Sequence, residues 1–120
     1  MSYIVLDLAW NQAMSSNASV FNRLPIHLSG EIIQIGAVKL DDDFCPAEEF
    51  QSDVRPVYFR SMHYKVKKLT GIDKERLSRS DMFPTVFERF REWCGEDPVC
   101  VTWGYDDRRI MEQNIIIHDL

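Results

Sequence analysis

Apolar positions along this chain switch between two spacings. Tyr3 to Leu6 is a short, unbroken apolar run that leads into Asp7, with Asn11 and Gln12 close behind. Its β-branched and aromatic content, without alternation, predicts a strand buried on both faces. Glu31 to Leu40 predicts a second strand. Period-two alternation puts Ile33, Ile35, Ala37 and Lys39 on one face of it, and Ile32, Gln34, Gly36, Val38 and Leu40 on the other. A third strand is expected from about Phe50 to Phe59, where Pro56 sets it at an edge or ends its pairing. With the charged turn at Asp41–Asp43, the three runs predict an antiparallel meander.

The spacing turns helical further on. Asp73 offers a cap for a short helix from Lys74 to Leu77. Ser80 and Asp81 offer another for a helix from Phe83 to Cys94, with Pro84 suited to its first turn. Val86, Phe87, Phe90, Trp93 and Cys94 share one face of that helix. Val99 to Trp103 predicts a fourth strand, broken by Gly104. A helix from about Asp106 to His118 follows, carrying Ile110, Met111, Asn114 and Ile115 on one side. Ala13 to Ser29 is expected as a long loop, and Arg60 to Lys68 as a basic, polar segment before a turn at Gly71. The order β-β-β-α-β-α predicts a single α/β domain over 1–120.

Composition narrows the function. The chain is long enough for one domain with a real core. Its net charge of −5 gives no general attraction for nucleic acid, so any polyanion binding is local or metal-assisted. No apolar run approaches the roughly eighteen residues of a membrane span, and no signal-peptide pattern opens the chain. Cys45, Cys94 and Cys100 are odd in number and lack metal-site spacing, which predicts reduced thiols in a cytoplasmic protein.

Two carboxylates carry the candidate chemistry. Asp7 sits near the carboxyl end of the first strand, and an ionised group inside a strand needs a partner. Asp107 lies just after the fourth strand, in the first turn of the last helix. If strands one and four are parallel neighbours, both acids meet at the carboxyl ends of the strands, where α/β sheets gather their sites. Hard oxygen ligands of this kind suit Mg²⁺ or Mn²⁺. The plainer reading of Asp107 is an acid that favours the helix dipole. Lys65, Lys67 and Lys68 form a basic cluster that meets phosphates or is simply solvated. Trp10 either stacks on a base or packs in the core. Trp93 and Trp103 are expected in the core, His27 and His63 in loops, and Glu31 at the surface. Arg108 and Arg109, beside Asp107, either touch a bound strand or, as the plainer reading, face solvent.

The segments Y-I-V-L-D-L-A-W-N-Q, G-E-I-I-Q-I-G-A-V-K-L, L-T-G-I and V-T-W-G-Y-D-D together resemble the DEDD-type (DnaQ-like) 3′–5′ exonucleases of the ribonuclease-H-like superfamily. Within it they look most like the KapD-like, KinA-pathway-inhibitor subgroup, and the resemblance spans nearly the whole chain. It implies a ribonuclease-H-like fold: an antiparallel meander, a strand parallel to the first, and flanking helices. It also implies two-metal phosphodiester hydrolysis at single-stranded DNA or RNA 3′ ends, with Mg²⁺ or Mn²⁺ as cofactor. On that resemblance Asp7 and Asp107 are catalytic metal ligands, with Asp107 matched through Gly104. Thr70, Gly71 and Ile72, with Lys68 and Trp10 beside them, shape the pocket for the terminal nucleotide.

The departures matter as much. The family's first motif is D-x-E, and Ala9 occupies the glutamate position. The third motif, a histidine base and a final aspartate, has no counterpart; His118 sits on the second-motif helix. The chain is therefore expected to lack the last strand and helix of the family fold and to be inactive or nearly so. The alternative is a non-catalytic exonuclease-like module that binds nucleic acid or protein. A shortened fold is also expected to expose apolar surface that a homodimer would cover.

Overall fold

The computed structural model describes residues 2–13 and 28–120. Most of the expected loop Ala13–Ser29, with His27, lies outside them. Four strands, β1 (Ser2–Asn11), β2 (Glu31–Leu40), β3 (Pro46–Asp53) and β4 (Pro98–Val101), form one sheet in the order β3-β2-β1-β4. The helices are α1 (Tyr64–Thr70), α2 (Lys74–Ser78), α3 (Phe83–Cys94) and α4 (Asp106–Ile117). As expected, β1, β2 and β3 pair antiparallel and β4 runs parallel to β1.

The strand β1 is not buried on both faces. Ile4, Leu6 and Leu8 point into the main core with Ile35, Val86 and Phe90, while Val5 and Asp7 are exposed on the other face. Helices α3 and α4 cover the first face; α1 and α2 cover only part of the second, through Val66 and Leu77. An apolar run thus feeds a half-open strand, because the helices on the second face are short.

A bulge changes the expected alternation of β2. Ala9 pairs with Gln34 and Trp10 with Ile32, leaving Ile33 as the extra residue. Ile32 joins the core under α3 and α4, and Ile33 the smaller cluster under α1 and α2. Both isoleucines are therefore buried, on opposite faces, whereas strict period-two alternation puts Ile33 with Ile35.

The third strand lies earlier than Phe50–Phe59. It occupies Pro46–Asp53, mostly exposed at the sheet edge, so it carries no apolar alternation to read. After it, the backbone N–H groups of Val57, Tyr58 and Phe59 donate to the Glu31 carboxylate rather than to a strand. Glu31 is accordingly not a surface acid but buried, at 2% exposure. The segment read as merely basic and polar contains α1. His63 caps it through Nδ1, which accepts from Lys65 N at 3.2 Å, and Gly71 ends it with φ of 72°. The last two helices match closely, with α3 at Phe83–Cys94 and α4 ending one residue before His118. Met82, not Ser80 or Asp81, caps α3, and Asp81 pairs with Arg89 instead. Trp103 is not core: it is 98% exposed beyond the short β4.

Two buried asparagines tie loops to this frame. Asn11 Nδ2 donates to the carbonyls of Phe59 and Ser61, and its Oδ1 accepts from His63 N. Asn114 Oδ1 accepts from Ile32 N, and its Nδ2 donates to the carbonyls of Gly30 and Ile110. Every polar atom of both amides is used, which offsets the cost of burying them.

Candidate active site

Asp107 comes from the far end of the sequence to the backbone of β1, one residue past Asp7. Pairing between β1 and β4 ends at Val5 and Val101. The next free N–H on that edge of β1, at Leu8, donates to Asp107 Oδ2 at 2.9 Å. Asp107, in the first turn of α4, thus continues a ladder that β4 has left. Its carboxylate is fixed beside the residue that follows Asp7 in the chain. Neighbouring Asp106 faces away, exposed and paired with Arg109. Arg108 pairs with Glu112 on the same helix, so both arginines lie on the solvent side as expected.

A cleft of about 430 Å³ opens in front of Asp7, on the sheet face that α1 half covers. Ala9, Gln12 and Gln34 line its strand side, and Val66, Leu69 and Thr70 line its helix side. The bulge at Ile33 places Gln34 opposite Ala9, and Gln34 Nε2 donates to Asp53 Oδ1 at 3.1 Å. Asp53 is held in turn by two bonds from Arg76, at 2.6 and 3.0 Å. A larger apolar groove, about 670 Å³, lies between α3, α4 and β4. Its floor residue Leu6 is on the sheet face away from Asp7.

The other expected site residues divide. Thr70 lines the cleft, and its hydroxyl donates to Val66 O and accepts from Ile72 N. Gly71 supplies the left-handed turn. Ile72 is 2% exposed and packs with Val66 and Leu77, so it supports the cleft from behind. Lys68 is exposed in the last turn of α1 and does not line the cleft. Trp10 borders the cleft, while its ring lies against Gly30 so closely that a Cβ there would come within 2.2 Å of Cδ1. Sequence reasoning missed Leu69, 88% exposed at the cleft, and Gln34. The signal for Leu69 was a large apolar residue beside a glycine turn; Gln34 had none, since the bulge sets its direction.

Among the described residues, no three His, Cys, Asp or Glu side chains gather to hold a metal. Asp7 and Asp107 supply carboxylates, one oxygen of Asp107 is engaged by Leu8, and Ala9 supplies no ligand. These groups do not make up a two-metal centre. His118 cannot complete it, because it caps the far end of α4, about 16 Å of helix from Asp107.

The family described as Exonuclease (RNase_T) matches residues 24–115. No curated protein matches the chain. Among solved structures, the nuclease domain of 3′hExo, a DEDDh family member bound to rAMP, is similar at 21% identity and a TM-score of 0.79. That match covers 99% of this chain and 60% of the other. Cell-death related nuclease 4 is similar at 21% identity and a TM-score of 0.78, over 99% of this chain and 40% of that one. E. coli Exonuclease I in complex with an oligonucleotide is similar at 15% identity and a TM-score of 0.64, over 95% and 24%. The sheet and helices described above are those of a ribonuclease-H-like exonuclease fold, and the chain belongs to the exonuclease family. It spans 60% or less of the length of these solved relatives.

Proposed function

We propose that this chain is a 3′–5′ exonuclease-type domain that receives a single-stranded DNA or RNA 3′ end in the cleft before Asp7, and that its own hydrolytic activity is absent or strongly impaired. The observation that carries the reading is the Asp107–Leu8 hydrogen bond, which sets a second acid beside Asp7 at the carboxyl end of β1. Family membership supports the reaction class, phosphodiester hydrolysis dependent on divalent metal. Impairment follows from Ala9, a methyl group at the place where a carboxylate ligand would be needed, and from the third-motif histidine and aspartate, which have no counterpart in residues 1–120. The chain's own residues then bind and orient: Asp107 holds the strand end of β1 in place, and Leu69 and Thr70 form an apolar-and-hydroxyl wall for the terminal nucleotide.

A second reading, a binding module without catalysis, is favoured by the same Ala9. One experiment separates the two. The chain, and an Ala9→Glu variant extended by a strand and helix that carry the third-motif histidine and aspartate, are incubated with Mn²⁺ and a 5′-labelled single-stranded oligonucleotide. Fluorescence anisotropy reports binding, and gel electrophoresis reports shortening. Binding by both, with stepwise shortening from the 3′ end only in Ala9→Glu, is the expected result. Binding without shortening by the variant transfers the case to the module. No binding by either protein overturns both.

A further inference from the structure

The cations of this acidic protein are gathered in one part of it. Eight of its fourteen Lys and Arg residues fall within residues 54–80, against two acids there, Asp73 and Glu75. That segment builds the loop after β3 with α1 and α2, at the same end of the sheet as the carboxyl end of β1. Within it a second pocket, about 330 Å³, is rimmed by Arg55, Arg60 and Lys74 over an apolar floor of Pro56, Val57 and Leu77. Leu77 is shared with the cluster that also packs Val66 and Ala9, so this pocket and the cleft back onto the same few side chains.

Two of the three rim cations are not used internally among the described residues. Arg76 is committed to Asp53, and Arg60 Nε donates to Val57 O. The side chains of Arg55 and Lys74 have no hydrogen-bond or ion-pair partner among the described residues. Arg60 is additionally attracted by the buried Glu31 carboxylate. Three cations around one concavity repel each other, and a phosphate relieves that repulsion while accepting their hydrogen bonds.

We propose that the Arg55–Arg60–Lys74 pocket is a second phosphate subsite, which holds the backbone of the nucleic-acid strand upstream of the 3′ end seated in the cleft. The inference rests on the exonuclease-type reading and adds to it a strand path over α1 and α2, flanked by Lys67 and Lys68 in the last turn of α1. A recessed rim beside the cleft suits a phosphodiester chain. A membrane surface would instead be met by projecting cations and apolar tips.

The test is an Arg55→Gln/Lys74→Gln variant, which leaves Arg60 and its attraction to Glu31 intact. Binding is measured by anisotropy against a labelled single-stranded oligonucleotide and, by competition, against adenosine monophosphate. The expected result is roughly tenfold weaker oligonucleotide binding at low salt. The slope of log affinity against log salt should be shallower by about 1.4, as for a single strand with two fewer phosphates neutralised. Competition by the mononucleotide should be unchanged. Unchanged oligonucleotide affinity and slope overturn the subsite while leaving the cleft reading standing. Equal weakening toward mononucleotide and oligonucleotide also overturns it, because the cations would then serve the cleft itself. Binding of the parent chain to phosphatidylserine vesicles in place of the oligonucleotide overturns both. Circular dichroism of the variant, matched to the parent, establishes that the change is not unfolding.

Discussion

Asp107 Oδ2 accepts a hydrogen bond from Leu8 N–H at 2.9 Å, across 99 residues of sequence. One carboxylate oxygen therefore has a structural role at the point where β4 no longer reaches β1. Asp107→Asn can keep that bond through its amide oxygen, whereas Asp107→Ala cannot. We expect the alanine variant to lose about 1–2 kcal/mol in urea denaturation and the asparagine variant less than half of that. Both variants should weaken Mn²⁺ binding measured by titration calorimetry. Equal stability losses in the two would show that the bond contributes nothing.

Burial pushes the Glu31 carboxyl above its ordinary value of 4.5, outweighing the N–H groups of Phe59, Val57 and Tyr58 and the charge of Arg60, which all pull it down. The folded chain thus holds this proton to higher pH than the unfolded chain does. Its contribution to stability is present below about pH 4.5 and is lost as pH rises through the native pKa. Glu31→Gln turns an amide donor toward three N–H donors and should cost about 1–3 kcal/mol at pH 7. The variant's stability-versus-pH curve should lack this falling limb. A curve parallel to the parent's would assign the limb to another group.

His118 titrates with the opposite sign. Burial lowers its pKa from 6.5, and Nε2 has no hydrogen-bond partner among the described residues while the ring stacks on Phe83. Stability present above pH 6.5 is lost as pH falls through the native pKa, because the unfolded chain takes up the proton first. His118→Phe keeps a ring in the stack and removes the proton site. Thermal melts of that variant should change little at pH 8 and should flatten below pH 6.5.

Gly30 meets the Trp10 ring so closely that a Cβ would lie 2.2 Å from Cδ1 and 3.1 Å from Ile110 Cδ1. Gly30→Ala must displace an indole that is held by its neighbours, at a cost of about 1–3 kcal/mol. Denaturation with a tryptophan-fluorescence readout should show the lower midpoint together with an altered native emission. An unchanged spectrum would mean that the ring is free to swing.

The three thiols should separate by reactivity. Burial, with a smaller push from Cys100, raises the Cys94 thiol to about 11, and Cys45 is exposed in the turn before β3. Mass spectrometry after brief iodoacetamide treatment at pH 8 should find Cys45 alkylated and Cys94 intact. Early labelling of Cys94 would indicate that α3 opens readily.

Much of this protein was written in local pattern. The apolar face of α3 follows from spacing over a few residues, since burial on one side of a helix imposes that spacing. The caps at Asp73 and Gly71 are equally local, because a helix end needs an acceptor or a left-handed turn. Asp107, rather than Asp106, was matched through its spacing from Gly104, and Asp107 is the one that reaches Leu8. The resemblance between segments also placed the chain in its family.

Other features had no local signal. Nothing in E-I-I-Q tells which isoleucine is the bulge, because both are buried and only the partner strand decides the register. Strand β3 was expected too late in the chain because an exposed edge strand needs no apolar alternation to mark its bounds. Trp103 and Glu31 were each assigned to the wrong environment. Burial of a single side chain depends on what packs over it, and those neighbours are distant in sequence. The sequence by itself determined the class and the helices α2, α3 and α4. Tertiary structure decided that Asp107 is held against β1 one residue past Asp7, because that depends on β4 stopping at Val101 and on a hydrogen bond between residues at opposite ends of the chain.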